Sequence, residues 1–174
     1  MTESLGSWHA ARDEAQSLGD DYNLVTVDDN DLIDNTGDAE NDWLTSTFAP
    51  ANPDPNWSDV ELHQATEFWL GFNDEVEEGL WVWASGEGGQ WRSGDPASTS
   101  YVSWGSGQPD DFGNQDYSII LVPPATWPAG SWDDLYLTGI ARRGIIEAVP
   151  EPTTLALLSI AAVGLMLHTR RRPK

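Results

Sequence analysis

The spacing of apolar residues along the chain predicts a mixed α and β body followed by an unrelated end. Near the start, Ser7 reads as an N-cap, with Trp8, Ala11, Ala15 and Leu18 on one helical face and Gly19 as the stop. Asn23-Leu24-Val25-Thr26-Val27 reads as a short strand. A second helix is expected from about Ala39 to Phe48, with Trp43, Leu44 and Phe48 inward. Pro50 to Asp59, with three prolines, reads as a surface loop. Phe68-Trp69-Leu70-Gly71-Phe72 is a buried strand, and Leu80 to Ala84 another, with Trp81 and Trp83 on one face. From Ser85 to about Asn114 the chain turns to Gly, Ser, Pro and Asp, and a loop of that length in a compact domain points to function or to a linker. Strand character returns over Tyr117–Val122, Gly130–Asp134 and Gly139–Glu147. No repeat is evident.

The end of the chain breaks this pattern. Val149-Pro150-Glu151-Pro152 is followed by an uncharged apolar stretch from Leu155 to Leu167, and then by His168, Thr169 and three arginines. The stretch is shorter than the roughly 20 residues that cross a bilayer comfortably. Thr153 and Thr154 extend it, and arginines can snorkel at the boundary. A core helix would show polar positions at helical spacing, and this stretch shows almost none. It reads as a C-terminal transmembrane helix with its arginines inside and the body facing outward.

Charge sharpens the division. The 174 residues contain 29 acids and 8 bases, and the part before Glu151 holds 28 acids against 4 bases, a net charge of −24. Such a body is a poor partner for nucleic acid, which needs Lys and Arg to displace counterions. The chain has no cysteine, so disulfides, thiol catalysis and thiolate metal sites are excluded. Of the ten tryptophans, Trp8 lies on the first helix, Trp43, Trp69, Trp81, Trp83 and Trp132 fall in expected helices and strands and read as core, and Trp57, Trp91, Trp104 and Trp127 fall in loops.

Two acidic clusters flank the long loop. One is Asp74, Glu75, Glu77 and Glu78; the other is Gln108, Asp110, Asp111, Asn114, Gln115 and Asp116, joined by Asp133 and Asp134. Carboxylate and amide oxygens gathered this way either surround a hard cation such as calcium or form a solvated acidic surface. The residues alone leave both readings open. Catalysis is not expected. The histidines are scattered, no serine sits in a nucleophile elbow, and the acids lie in polar loops rather than in an apolar pocket that would raise a pKa.

Trp8-His9-Ala10-Ala11, Leu24-Val25-Thr26-Val27, Asn41-Asp42-Trp43-Leu44, Phe68-Trp69-Leu70-Gly71-Phe72-Asn73-Asp74, Trp81-Val82-Trp83, Trp104, Gln108-Pro109-Asp110, Trp132-Asp133-Asp134 and Gly144-Ile145-Ile146-Glu147 occur in the order found in C-type lectin-like domains. The body resembles that family from Ser7 to Glu147. The resemblance implies an α+β, C-type lectin-like fold, with two helices packed on antiparallel sheets and a long calcium-binding loop. It implies calcium as cofactor and carbohydrate as ligand, in a primary site of Gln108, Asp110, Gln115, Asp133 and Asp134 and an auxiliary site of Asp74, Glu78, Asp111 and Gln115. Pro109 would be a cis proline. Gln108-Pro109-Asp110 is similar to the galactose-type order, with Gln108, Asp110, Gln115 and Asp133 touching sugar hydroxyls. Phe112 either stacks on the sugar or packs within the loop. Gln115 stands where sugar-binding members carry Glu, and Asp133 where they carry Asn; Tyr117 and Ile146 occupy two cysteine places.

The tail resembles the PEP-CTERM sorting signal, with Pro150, Glu151 and Pro152 as its motif, which implies export and processing by an exosortase-type enzyme. Residues 1–148 are therefore expected to form the lectin-like domain and residues 149–174 the sorting and membrane tail. The expected location is the cell surface or extracellular matrix of a bacterium, after transient membrane anchoring. Met1 to Leu18 shows no signal peptide and the family's first strand is not apparent, so the start reads as truncated. The expected function is calcium-dependent, galactose-type carbohydrate binding. The alternative is a structural or protein-binding module of biofilm matrix with a degenerate site.

Overall fold

The computed structural model describes residues 1–27, 38–125, 127–137 and 139–148. The expected transmembrane helix and sorting motif lie outside the described residues. Among those described, no helix is long and apolar enough to cross a membrane.

Helix α1 (Trp8–Ser17) starts where Ser7 accepts the Ala10 N–H, and its buried stripe is Trp8, Ala11 and Ala15. Leu18 is not part of that stripe: it is the C-cap and is 58% exposed, because the helix has ended before its side chain can turn inward. Strand β1 (Tyr22–Leu24) follows, then α2 (Asp38–Phe48). In α2, Leu44 is buried and Phe48 packs on the core, but Trp43 is 58% exposed. One residue before Leu44 is a rotation of about 100°, which turns Trp43 outward. Helix α3 (Asp59–Thr66) follows the proline-rich loop. A reciprocal cap starts it, with the Ser58 hydroxyl accepting the Glu61 N–H and the Glu61 carboxylate accepting the Ser58 N–H.

The main sheet is built on β2 (Glu67–Asn73), with every residue buried. Its order is β4-β3-β2-β5-β6, from β3 (Trp81–Trp83), β4 (Gln90–Trp91), β5 (Tyr117–Leu121) and β6 (Trp132–Leu135), all antiparallel neighbours. Strand β7 (Arg143–Gly144) pairs parallel with β2, and β8 (Ile146–Ala148) pairs antiparallel with β1. Residues before α1 join this closure: Thr2 donates to the Gly144 carbonyl, and Gly6 bridges Arg142 antiparallel.

The two-residue period of β2 and β5 divides the core. Phe68, Leu70, Phe72, Ile120 and Val122 meet Trp81, Trp83, Trp132, Val25, Val27 and Leu44. Trp69, Tyr117, Ile119 and Leu121 meet Trp8, Ala11 and Leu24 on the other side. Rings carry much of the first cluster: Phe72 stacks on Trp83 at 4.3 Å, and Trp104 meets Trp81 edge-on at 4.7 Å. The Trp132 indole N–H donates to Asn41 Oδ1 at 2.8 Å, tying α2 to the sheet. Gly71 is required by close approach, since a Cβ there would stand 2.8 Å from the Leu24 carbonyl oxygen. A buried ion pair joins Glu67 to Arg142, which lies over the Trp69 ring at 5.6 Å.

Candidate cation and ligand site

Asn73, the last residue of β2, pairs with Tyr117, the first of β5, which in turn pairs with Leu135 at the end of β6. Three chain segments therefore meet at one end of the sheet. One is the turn after β2, another is the stretch before β5, and the third is the end of β6. The Asp74 N–H donates to the Asp116 carbonyl at 3.1 Å and locks the first two together. Between them lies a cavity of about 150 Å³, whose polar lining includes Asp74, Glu78, Asp111, Gln115 and Asp134, with Trp81, Trp91 and Pro109 as apolar wall. All four residues of the expected auxiliary set line this one cavity.

The loop bends into place by its own hydrogen bonds. The Gln108–Pro109 peptide is cis, as the resemblance implies. Asp134 is buried on β6, and its carboxylate accepts the Asp110 N–H at 3.0 Å and the Asp111 N–H at 2.8 Å. Asp111 accepts the Gln115 N–H at 3.0 Å, and Asp110 accepts the Phe112 N–H at 3.1 Å. Of the expected primary set, Gln115 and Asp134 line the cavity. Asp110 is exposed with its carboxylate turned to Phe112, and Asp133 is half-buried at the β6 position paired with Ile119. Phe112 is 78% exposed, so the loop leaves its ring in solvent instead of packing it.

Burial pushes four acids of this region upward: Asp74, Asp116, Asp133 and Asp134. Asp74 rises from 3.8 to about 7, through burial opposed by the Gly79 N–H it accepts and reinforced by Glu78 and Asp116. Asp133 rises to about 6 through burial, then the charge of Asp134. Asp134 and Asp116 are raised by burial too, with hydrogen bonds to each working the other way. Glu75 and Glu77 leave the cavity. Glu75 reaches His9 on α1, and Glu77 pairs with Arg92. Their divergence has no signal in the sequence, because their partners lie 66 and 15 residues away.

Three side-chain oxygens here are buried without a hydrogen-bond partner: Asp74 Oδ1, Gln108 Oε1 and Gln115 Oε1. Among the described residues no three Asp, Glu or His side chains form a ready-made metal cage. The donor set that is present consists of carboxylate and amide oxygens, which suits a hard cation such as calcium and not a softer metal. The residues therefore fit calcium by chemistry and by unmet acceptor capacity.

Comparison with known structures gives the fold its class. The chain aligns with the crystal structure of the C-type lectin CEL-I from Cucumaria echinata at a TM-score of 0.57 and 21% identity, over 83% of this chain and 84% of that one. The fold is C-type lectin-like, with helices and a curled antiparallel sheet. A hepatic lectin of Gallus gallus is 33% identical over 72 residues, 41% of this chain and 28% of that protein. Lectin BRA-3 of Megabalanus rosa is 33% identical over 66 residues, 38% of this chain and 33% of that protein. The chain thus spans about a third of the curated relatives it matches. Residues 148–172 match the PEP-CTERM protein-sorting motif. A C-type lectin-like fold and a PEP-CTERM sorting motif are joined in one chain.

Proposed function

We propose that this protein is an exported, calcium-dependent carbohydrate-binding module. The reading is carried by the three buried, unpartnered oxygens of Asp74, Gln108 and Gln115 at the end of the sheet. A buried acceptor without a partner costs about 1–3 kcal/mol, and a cation relieves that cost when it binds. Asp74, Glu78, Asp111 and Gln115 would hold one calcium, and Gln108, Asp110, Gln115, Asp133 and Asp134 a second. The bound cation would supply an electrophilic centre for vicinal sugar hydroxyls. The order Gln108-Pro109-Asp110 supports a galactose-type ligand, and the exposed ring of Phe112 would cover the apolar face of the sugar. Residues 1–148 form the binding domain in this reading. Residues 149–174 form the tail that takes the protein through the membrane to an exosortase-type enzyme and on to the surface or matrix. No catalytic role is proposed.

Calorimetric titration of the full chain with calcium tests the cation, and a glycan array with and without chelator tests the sugar. Saturable calcium binding and chelator-sensitive galactoside capture are expected. Absence of calcium binding would overturn the reading.

One observation favours a second reading. Asp134 and Asp110 already spend their carboxylates on loop N–H groups, so the loop holds its shape without a cation. A structural or protein-binding module would use such a loop, be indifferent to chelator, and keep its binding in Asp110→Ala.

A further inference from the structure

The turn Asp74–Gly79 carries four carboxylates, and their mutual repulsion works to splay it. Asp74 and Glu78 nevertheless line the same cavity. Two anchors oppose the splaying. Glu77 pairs with Arg92, but both side chains are solvated, and such pairs contribute little. The other anchor is built differently. His9 Nε2 stands 3.1 Å from each carboxylate oxygen of Glu75 and 3.3 Å from the hydroxyl of Tyr117. The imidazole is held edge-on by Trp8 at 5.6 Å and by Tyr117 at 5.4 Å. Trp8 is itself fixed, donating its indole N–H to the Leu70 carbonyl of β2 at 2.7 Å. Tyr117 is 2% exposed and sits beside Asn73, the residue before Asp74. His9 and Glu75 are themselves 33% and 41% exposed, so what sets this pair apart is the ring packing that fixes the imidazole rotamer and so positions its partner.

We propose that His9 and Tyr117 are positioning residues for the cation cavity: they hold Glu75, and through it the backbone of the turn that carries Asp74 and Glu78. The clamp links α1, β5 and the turn, and Tyr117 stands at a position where the lectin-like pattern carries a cysteine. A polar and aromatic contact thus fastens this corner in a chain without disulfides. Glu75 is excluded as a cavity ligand by the same geometry, although the sequence groups it with Asp74.

The inference rests on the calcium reading for its functional consequence, and the test separates the two. In the full chain, His9→Phe and Tyr117→Phe keep the ring packing and remove the polar contact. Each is expected to weaken calcium binding by about 3- to 10-fold, the size of one lost hydrogen bond. Melting in chelator should shift little, and His9→Gln, which keeps an N–H donor, should lose less than His9→Phe. The effects of His9→Phe and Glu75→Gln should not add, since both act through one contact. Amide hydrogen exchange of residues 74–79 without calcium is expected to quicken several-fold in each variant, with the rest of the sheet unchanged. Wild-type exchange in that turn together with wild-type calcium affinity overturns the clamp. If the parent chain binds no calcium, the calcium reading fails and exchange alone decides. Faster exchange then still upholds the clamp as the anchor of the turn, and unchanged exchange overturns it.

Discussion

Asp74 offers the sharpest test of the site, because the same side chain should weaken the metal-free fold and strengthen the calcium-bound one. It is 2% exposed, Oδ2 accepts the Gly79 N–H at 2.8 Å, and Oδ1 has no partner. Its folded pKa of about 7 lies well above the value of an unfolded aspartate. A raised carboxylate pKa means the folded chain binds the proton more tightly than the unfolded one. The stabilisation this group gives is therefore full below about pH 4 and is lost as pH rises through about 7. Three pH units correspond to about 4 kcal/mol at most. Asp74→Asn removes the charge and keeps the shape, so in chelator at about pH 8 the variant should be the more stable by up to that amount. At about 2–4 °C per kcal/mol for a domain of this size, the melting temperature should rise by up to about 8–16 °C. Near pH 4 the two proteins should melt together. With calcium near 100 times its dissociation constant the parent should gain about 2.7 kcal/mol and the variant much less, which narrows or reverses the order. Thermal melts followed by tryptophan fluorescence at the two pH values, with chelator and with calcium, read all of this. A variant less stable than its parent in chelator at high pH, or a difference that does not move with pH, would refute the reasoning.

Other outcomes follow from the core and the loop. Arg142→Met leaves the buried Glu67 carboxylate without its strongest partner and should cost about 3–5 kcal/mol, read by chemical denaturation. Trp132→Ala removes a fully buried ring and its hydrogen bond to Asn41, and should cost about 3–5 kcal/mol with cooperative unfolding at risk near 37 °C. Phe112→Ala should leave the melting temperature within about 1 °C of the parent, since the ring is exposed, while galactoside affinity falls and calcium affinity holds.

Much of this protein could be read along the chain. The apolar run Phe68–Phe72 reads as a buried strand, and every residue of β2 is buried; the strand character of Tyr117–Val122 matches β5. The Ser7 cap, the cis Pro109 and the gathering of Asp74, Glu78, Asp111 and Gln115 were legible too, because each depends on a few neighbouring residues or on a family pattern. Helix α3 was missed in spite of a signal: Ser58 followed by Glu61 is a capping box, overshadowed by the prolines before it. The pairing of Thr2 and Gly6 with the end of the chain had no local signal at all.

What the linear order determined by itself is composition and periodicity: an acidic body without crosslinks, a sheet built on one all-buried strand, and a basic, apolar tail with a sorting motif. Only the tertiary structure decided how the acids divide their work. Asp134 holds the loop, Asp74 turns into the cavity, and Glu75, its neighbour in sequence, turns away to α1. The physical reason is that charge and period are properties of a segment. The direction of a carboxylate is set by the partner that reaches it, and here that partner is 66 residues away.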